Sequence, residues 1–476
     1  MTDHTASVVS NATWLIAQRV LMSLVAVLIT AMVARYLGTE SYGLLLLMLS
    51  YIALFTPVSS LGLRPYSVRE IASGPDRALE MVEDMLVLRF GLSVIAMVLA
   101  SAYLLIADHK IPHALIVMLG LQLVLNSLAT CFIDGLYGVE MIKSVATVMG
   151  IAGVIVQAAC LAAVLLDGGL PAVASAYVLG AASSLALAWR AFNRHVGAFR
   201  LRRPRLAHFR HVRKSWIFFL QTMVGTIRAR IDMVLINSLL GAHAAGIYGA
   251  AQTLTQRITL LQDGLTTALF PRVSSLHEKS PEEVKRLVRD VCKILLLIST
   301  PMAIGLLGVS DNVVRLVFGQ QYTDSAMVLA ILGIGIPFSF TYGVMFDVLT
   351  AMRRQREVLV CSVVAAVVCV AVMASAIRYA GVAGAAVVYV FGLASVTLSF
   401  VVIYWRQMGP VISVRDFVGI FAANTVMGGV LLLMGDLPLA AQIAISALVF
   451  ALASMLFGVV TPGMIRAIVR RQKVAD

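Results

Sequence analysis

The sequence predicts an all-α integral membrane protein of about fourteen transmembrane helices. Of its 476 residues 60% are hydrophobic and only 13% charged, and the mean hydropathy is +0.93, far from the balance of a soluble domain. Apolar runs of about 20 residues, the length a helix needs to cross hydrocarbon, recur along the chain. They are continuous, whereas the strands of a membrane barrel alternate over about ten residues, so a barrel is excluded.

The first run, 14–34, follows MTDHTASVVSNATW, which has no basic leader region and no small-residue cleavage site; the span is expected to remain as a signal anchor. YLGTESYG at 36–43 turns the chain into the second span, 43–63. GPDRALEMVED at 74–84, acidic and started by proline, leads to the third, 85–107, followed by 113–133, 144–166 and 170–190. A loop at 191–214 then holds Arg194, Arg200, Arg202, Arg203, Arg205, Arg210, Arg213 and Lys214 without an acid. It is expected to fix topology and to lie on anionic phospholipid, at about 1 kcal/mol per basic residue. LLGAHAAG at 239–246 joins the spans 215–239 and 246–269. SPEEVKRLVRD at 280–290 reads as a helix start, with Ser280 as N-cap, Pro281 first in the helix and Glu283 three residues after the cap. The spans 289–310, 325–349, 358–378, 382–405, 417–434 and 440–462 complete the set.

The two turns form a repeat. Each has Leu-Gly followed five residues later by Gly, at an offset of 203; Arg69 and Arg272 keep that offset, and each precedes one of the acidic stretches. Six spans separate the copies, so the halves share an orientation, and a parallel pseudo-twofold repeat is expected. The predicted organisation is an N-terminal lobe at 1–190, the basic linker 191–214, a C-terminal lobe at 215–405, and two further helices with a basic tail at 406–476.

The net charge of +13 needs no nucleic-acid partner. With residues at span ends assigned to the adjoining connection, 29 of the 37 lysines and arginines lie in alternate connections and the tail. Arg89 is placed by this assignment at the end of the second connection. The positive-inside rule then puts both termini in the cytoplasm; the expected location is the cytoplasmic (inner) membrane. Cys131, Cys160, Cys292, Cys361 and Cys369 lie in or beside apolar spans without metal or redox spacing and read as core residues. His208 and His211 read as solvated loop. No metal or cofactor is expected.

ARYLGTESYG, LGLRPYSVREIA at 61–72, RIDMVLINSLLGAHAAGIYGAAQTL at 230–254, LFPRVSSL at 269–276 and LVFGQQYTDSAMVLAILG at 316–333 follow one another through most of the chain. In these the sequence resembles Wzx-type oligosaccharide-lipid flippases of the multidrug/oligosaccharidyl-lipid/polysaccharide exporter superfamily. The resemblance implies two lobes around a central cavity and movement of an undecaprenyl-diphosphate-linked glycan between leaflets. Polysaccharide polymerase and glycosyltransferases are implied as partners.

The candidate substrate site rests on charges inside apolar spans. Arg228 and Arg230 fall near the middle of the seventh span and Arg257 in the eighth, while Arg19 lies near the start of the first. A charge at a helix centre costs about 2.5–3.5 kcal/mol even on insertion scales, so such residues face a cavity or a partner. Arginine's planar fork suits diphosphate oxygens. Arg228 and Asp232, four apart, share a helix face, and Arg230 points elsewhere. Asp232, Asp263 and Asp347 are the acids within spans: charge partners of the arginines, or groups that couple transport to a proton or sodium ion. Arg19 can also snorkel to the headgroups, and an Arg228–Asp232 pair can be purely structural.

Two other classes compete with a flippase. A cation-coupled multidrug antiporter would need a carboxylate deep in the N-terminal lobe, where every acid is expected in a connection or at a span end. A membrane glycosyltransferase or polymerase would need acids and a substantial catalytic loop on the outer face, and the longest outer connection is 311–324.

Overall fold

The computed structural model describes residues 2–107, 111–197, 209–266, 273, 280–435 and 437–460, with side chains described from Val25 onward except 75, 106–107, 209–214, 217, 260–261 and 263–266. Among the described residues there are fourteen α-helices and no strand. They are α1 (Thr2–Ser60), α2 (Leu63–Ser73), α3 (Ala78–Ala107), α4 (His113–Gly138), α5 (Ile142–Leu165), α6 (Gly169–His195) and α7 (Phe209–Leu240). There follow α8 (Ala242–Thr266), α9 (Pro281–Phe318), α10 (Ser325–Ile334), α11 (Ile336–Ala351), α12 (Gln355–Met408), α13 (Val414–Leu433) and α14 (Leu439–Leu456).

Every expected span has its helical segment. α1 holds two spans joined at Gly38 (φ 72°, ψ 172°), and α12 holds two joined at Ala380 and Gly381 (φ 59°). α10 and α11 form one span bent by 41°, with Gly335 between them and Pro337 in the first turn after it. Proline has no N–H for the preceding turn, which is why the break falls there. Among the described residues nine helices are long and apolar enough to cross a membrane, ten when the bent pair counts as one. α7 and α8 lie outside that set, although they run for 32 and 25 residues; α7 owes its lower apolarity partly to Arg228, Arg230 and Asp232.

Both acidic stretches run without interruption into membrane helices, α3 and α9. Ser280 precedes Pro281 as expected, but its side chain makes no capping bond; the Glu283 N–H donates to the Ser280 carbonyl instead (3.0 Å). Two charge assignments are corrected. Arg89 lies within α3, not in the connection before it, because the helix begins at Ala78. Asp134 lies within α4, which continues to Gly138, past the expected end of the span.

The chain divides into two compact units, one of Met32–Gly246 and the other of Met1–Ala31 with Ile247–Asp476. In the first, Leu63, Tyr66 and Ile71 of α2 pack with Val82 and Met85 of α3, Phe132 and Leu136 of α4 and Phe192 of α6. In the second, Val288 and Leu295 of α9, Phe340 and Val344 of α11 and Phe400 and Tyr404 of α12 pack into one core. α13 and α14 are tied to α9 by polar contacts. Lys293 Nζ meets Asp416 Oδ1 (2.6 Å), Asn424 Nδ2 donates to Thr300 Oγ1 (2.8 Å), and Asn312 Nδ2 donates to Gln442 Oε1 (3.3 Å). Val360, Val364 and Val367 of α12 and Phe417 and Phe421 of α13 are exposed. Hydrocarbon is the solvent that suits such faces.

Candidate functional site

Arg228, Arg230 and Asp232 lie on α7 in the first unit, and Arg257 and Asp347 on α8 and α11 in the second. Arg228 is twelve residues from the end of α7 and Arg257 fifteen from the start of α8. At 1.5 Å per residue these are about 18 and 22 Å, near the middle of a 30 Å hydrocarbon layer. Asp232 is fully buried, and its Oδ1 accepts from the Met233 N–H (2.8 Å). Arg228 and Asp232 both engage polar or electrostatic neighbours. Arg230 and Arg257 are half-buried, and among the described residues neither makes a side-chain hydrogen bond or ion pair. The side chains of Arg19 and Asp263 lie outside the described ones.

α8 and the bent α10–α11 span run in the same direction. Ser325 Oγ donates to the Ile247 carbonyl (2.7 Å), and further along a Cβ at Gly343 would overlap the Gln262 amide. That register puts Asp347 about 13 Å beyond Arg257 along the axes, and the two form no ion pair. Asn424 joins α13 to Thr300 of α9.

The repeated turns meet each other within the first unit. A Cβ on Gly43 would overlap the Ala242 carbonyl, and one on Gly246 would overlap the Thr39 carbonyl. These contacts are reciprocal, since 39 and 43 become 242 and 246 at the same 203-residue offset. Each helix thus presents a small-xxx-small pair, Thr39 with Gly43 and Ala242 with Gly246, which lets two backbones approach closely. Thr39 Oγ1 and His243 Nδ1 add a hydrogen bond (2.7 Å), and the Gly169 N–H donates to Tyr36 Oη (2.9 Å). Gly38 and Gly241 start these helices with positive φ (72° and 86°), a region that glycine enters without strain.

One charged cluster was not legible in the sequence. Arg89 of α3 is 1% exposed and Asp134 of α4 is 2% exposed, and Arg89 Nη2 donates to Asp134 Oδ2 (2.6 Å) while Nη1 donates to Thr130 Oγ1 (3.0 Å). An acid therefore does lie buried within a helix of the N-terminal half, held by a permanent cation. Arg89 inside the apolar run 85–107 was the available signal. Removing one partner of such a pair strands the other, at about 3–5 kcal/mol. Arg89→Ala and Asp134→Asn should each lower the thermal unfolding temperature and the membrane abundance markedly, while Arg89→Met combined with Asp134→Leu should recover most of both. No recovery in the double variant would show that the pair does more than neutralise itself.

A family model described as polysaccharide biosynthesis protein matches residues 8–277, more than half of the chain. The chain belongs to the polysaccharide biosynthesis protein family. A second model, MatE, matches residues 218–376 of this family member. A putative O-antigen transporter of Shigella flexneri is 22% identical over 379 residues, covering 74% of this chain and 86% of that protein. A teichuronic acid biosynthesis protein of Bacillus subtilis is 32% identical over 113 residues, only 24% of this chain and 23% of that protein. Among solved structures, a lipid II flippase in an inward closed conformation superposes with a TM-score of 0.73 at 16% identity, covering 94% of this chain and 98% of that one. The polysaccharide biosynthesis protein thus has the fold expected of it, a multi-pass helical membrane transporter fold.

Proposed function

We propose that the protein is a flippase that carries undecaprenyl-diphosphate-linked oligosaccharide from the cytoplasmic to the outer leaflet for cell-surface polysaccharide synthesis. One observation supports this most: a member of the polysaccharide biosynthesis family has arginines at mid-membrane depth, and two of them have no protein partner among the described residues. A cation at that depth is costly to a bare helix, and a diphosphate would repay it with charge-assisted hydrogen bonds. The polar groups of the substrate glycan would occupy a wet cavity while the polyprenyl tail stays in lipid. Movement by alternating access requires the Thr39–Gly43 and Ala242–Gly246 contact to part on the outer side. Asp232, Asp263 and Asp347 are the candidate sites for a coupling proton or sodium ion, and no cofactor enters the cycle.

The test is reconstitution into liposomes with a fluorescent undecaprenyl-diphosphate saccharide, scoring protection from a membrane-impermeant quencher. Protein-dependent exchange between leaflets is expected, and its absence with correctly inserted protein would count decisively against the reading. The MatE match over 218–376 favours one alternative, a cation-coupled multidrug antiporter. That activity would show as drug-dependent proton or sodium flux in the same liposomes.

The orientation has its own check. With both termini in the cytoplasm, as the distribution of basic residues implies, cysteines at Glu40 and His243, both exposed, should react with an impermeant thiol reagent from outside, and those at Gly74 and Gln355 should not. The reverse pattern would invert the direction of transport.

A further inference from the structure

We propose that Arg64 forms a second phosphate-binding site, at the surface helix α2, which receives the phosphate of a lipid headgroup. α2 follows the second span and is amphipathic: Leu63, Tyr66, Ser67 and Ile71 are buried, while Arg64, Pro65 and Arg69 are exposed. That is the form of a helix lying along a membrane surface. What distinguishes Arg64 from an ordinary surface arginine is how it is held. Thr130, Asp134 and Tyr137 are spaced four and three residues apart and so form one stripe along α4. Arg89 occupies one side of that stripe from α3, and Arg64 the other from α2.

Asp134 Oδ1 lies 3.3 Å from Arg64 Nε in an ion pair that makes no hydrogen bond, and the guanidinium carbon lies 5.6 Å from the centre of the Tyr137 ring. Nε therefore faces a buried carboxylate and one face of the plane an aromatic ring, yet the side chain remains 58% exposed. No hydrogen bond from its Nη groups to protein occurs among the described residues, so the Nη edge is the free edge. A fork fixed at its base, with its outer donors free, is preorganised for two phosphate oxygens. Charge favours the same ligand. Asp134 is shared by two arginines, so the cluster carries a net positive charge.

The positive-inside pattern puts α2 on the cytoplasmic side, where a lipid-linked substrate would enter; the identity of that lipid rests on the function proposed above. Anionic phospholipid supplies the same phosphate chemistry, and the experiment separates the two. Full-length protein in phosphatidylcholine nanodiscs would be titrated with undecaprenyl diphosphate or with phosphatidylglycerol, and retained lipid counted by native mass spectrometry. Arg64→Gln should weaken retention about tenfold, and Arg64→Lys should recover only part of it. Tyr137→Leu should weaken retention while Tyr137→Phe, which keeps the aromatic face, should not. Arg69→Gln is the control: on the same helix and 70% exposed, Arg69 has only a 3.9 Å contact with Glu70 and no buried anchor, so its loss should change retention less than about twofold.

A loss confined to undecaprenyl diphosphate would support the site and assign it to the transported lipid, and a loss confined to phosphatidylglycerol would support it as a contact with the surrounding bilayer. Equal retention of both lipids by wild type and a folded Arg64→Gln protein would overturn it, as would equal losses in Arg64→Gln and Arg69→Gln. Wild-type protein that holds phosphatidylglycerol through Arg64 but never binds undecaprenyl diphosphate would leave this site standing and remove support from the flippase reading.

Discussion

Arg257→Gln should leave membrane abundance unchanged and reduce glycan export by about a hundredfold or more. Neither Arg257 nor Arg230 has a protein partner among the described residues, so neutralising either strands no acid among them. A phosphate-binding arginine contributes charged hydrogen bonds of about 1.5–3 kcal/mol each, and losing two gives that reduction or a larger one. Lysine should rescue poorly, since it lacks the fork.

Arg228 calls for a different comparison, because its neighbour Asp232 is fully buried and both residues are engaged. If Arg228 neutralises that carboxylate, Arg228→Gln should lower abundance as well as export, through a buried charge left uncompensated. Arg228→Gln with Asp232→Asn should then restore abundance, and export in the double variant reads the substrate role alone. Full export by the uncharged pair would exclude Arg228 from substrate binding and leave Arg257 and Arg230.

Gly43→Val and Gly246→Val should each lower export at least about tenfold. At both positions the obstacle is the partner's main chain, which cannot turn aside as a long side chain can, so the two helices must separate. Each single substitution already opens the shared interface, and the double variant should therefore be little worse than either alone. Export and membrane abundance would be measured for all three proteins. Wild-type export in a single variant, or strictly additive losses, would show that the contact does not close during the cycle.

Much of this was legible from spacing alone. Span lengths follow from membrane thickness, and the turns at Gly38 and Gly241 were marked by a motif repeated at constant offset. The depth of Arg228 and Arg257 needed only the rise of a helix. Which surface each motif touches was not legible: the repeated Leu-Gly turns gave no sign that they pack on each other, because that contact joins residues about 200 apart through bare backbone. The Arg89–Asp134 pair was hidden for another reason. Both residues fall near the ends of apolar windows, where charge normally meets water, and only the longer helices α3 and α4 put them inside.

The polar ties at Lys293, Thr300 and Asn312 bear on how far this architecture can be shortened. The repeat suggests twelve helices as a complete transporter, with α13 and α14 as an appendage. Yet α9 was built to have neighbours there. Cut the chain after Met408 and the Lys293 ammonium loses its carboxylate, while Thr300 and Asn312 lose the side chains they bond. The terminal hairpin thus completes the solvation of the helix it covers, and a minimal version of this protein would have to begin by rewriting α9.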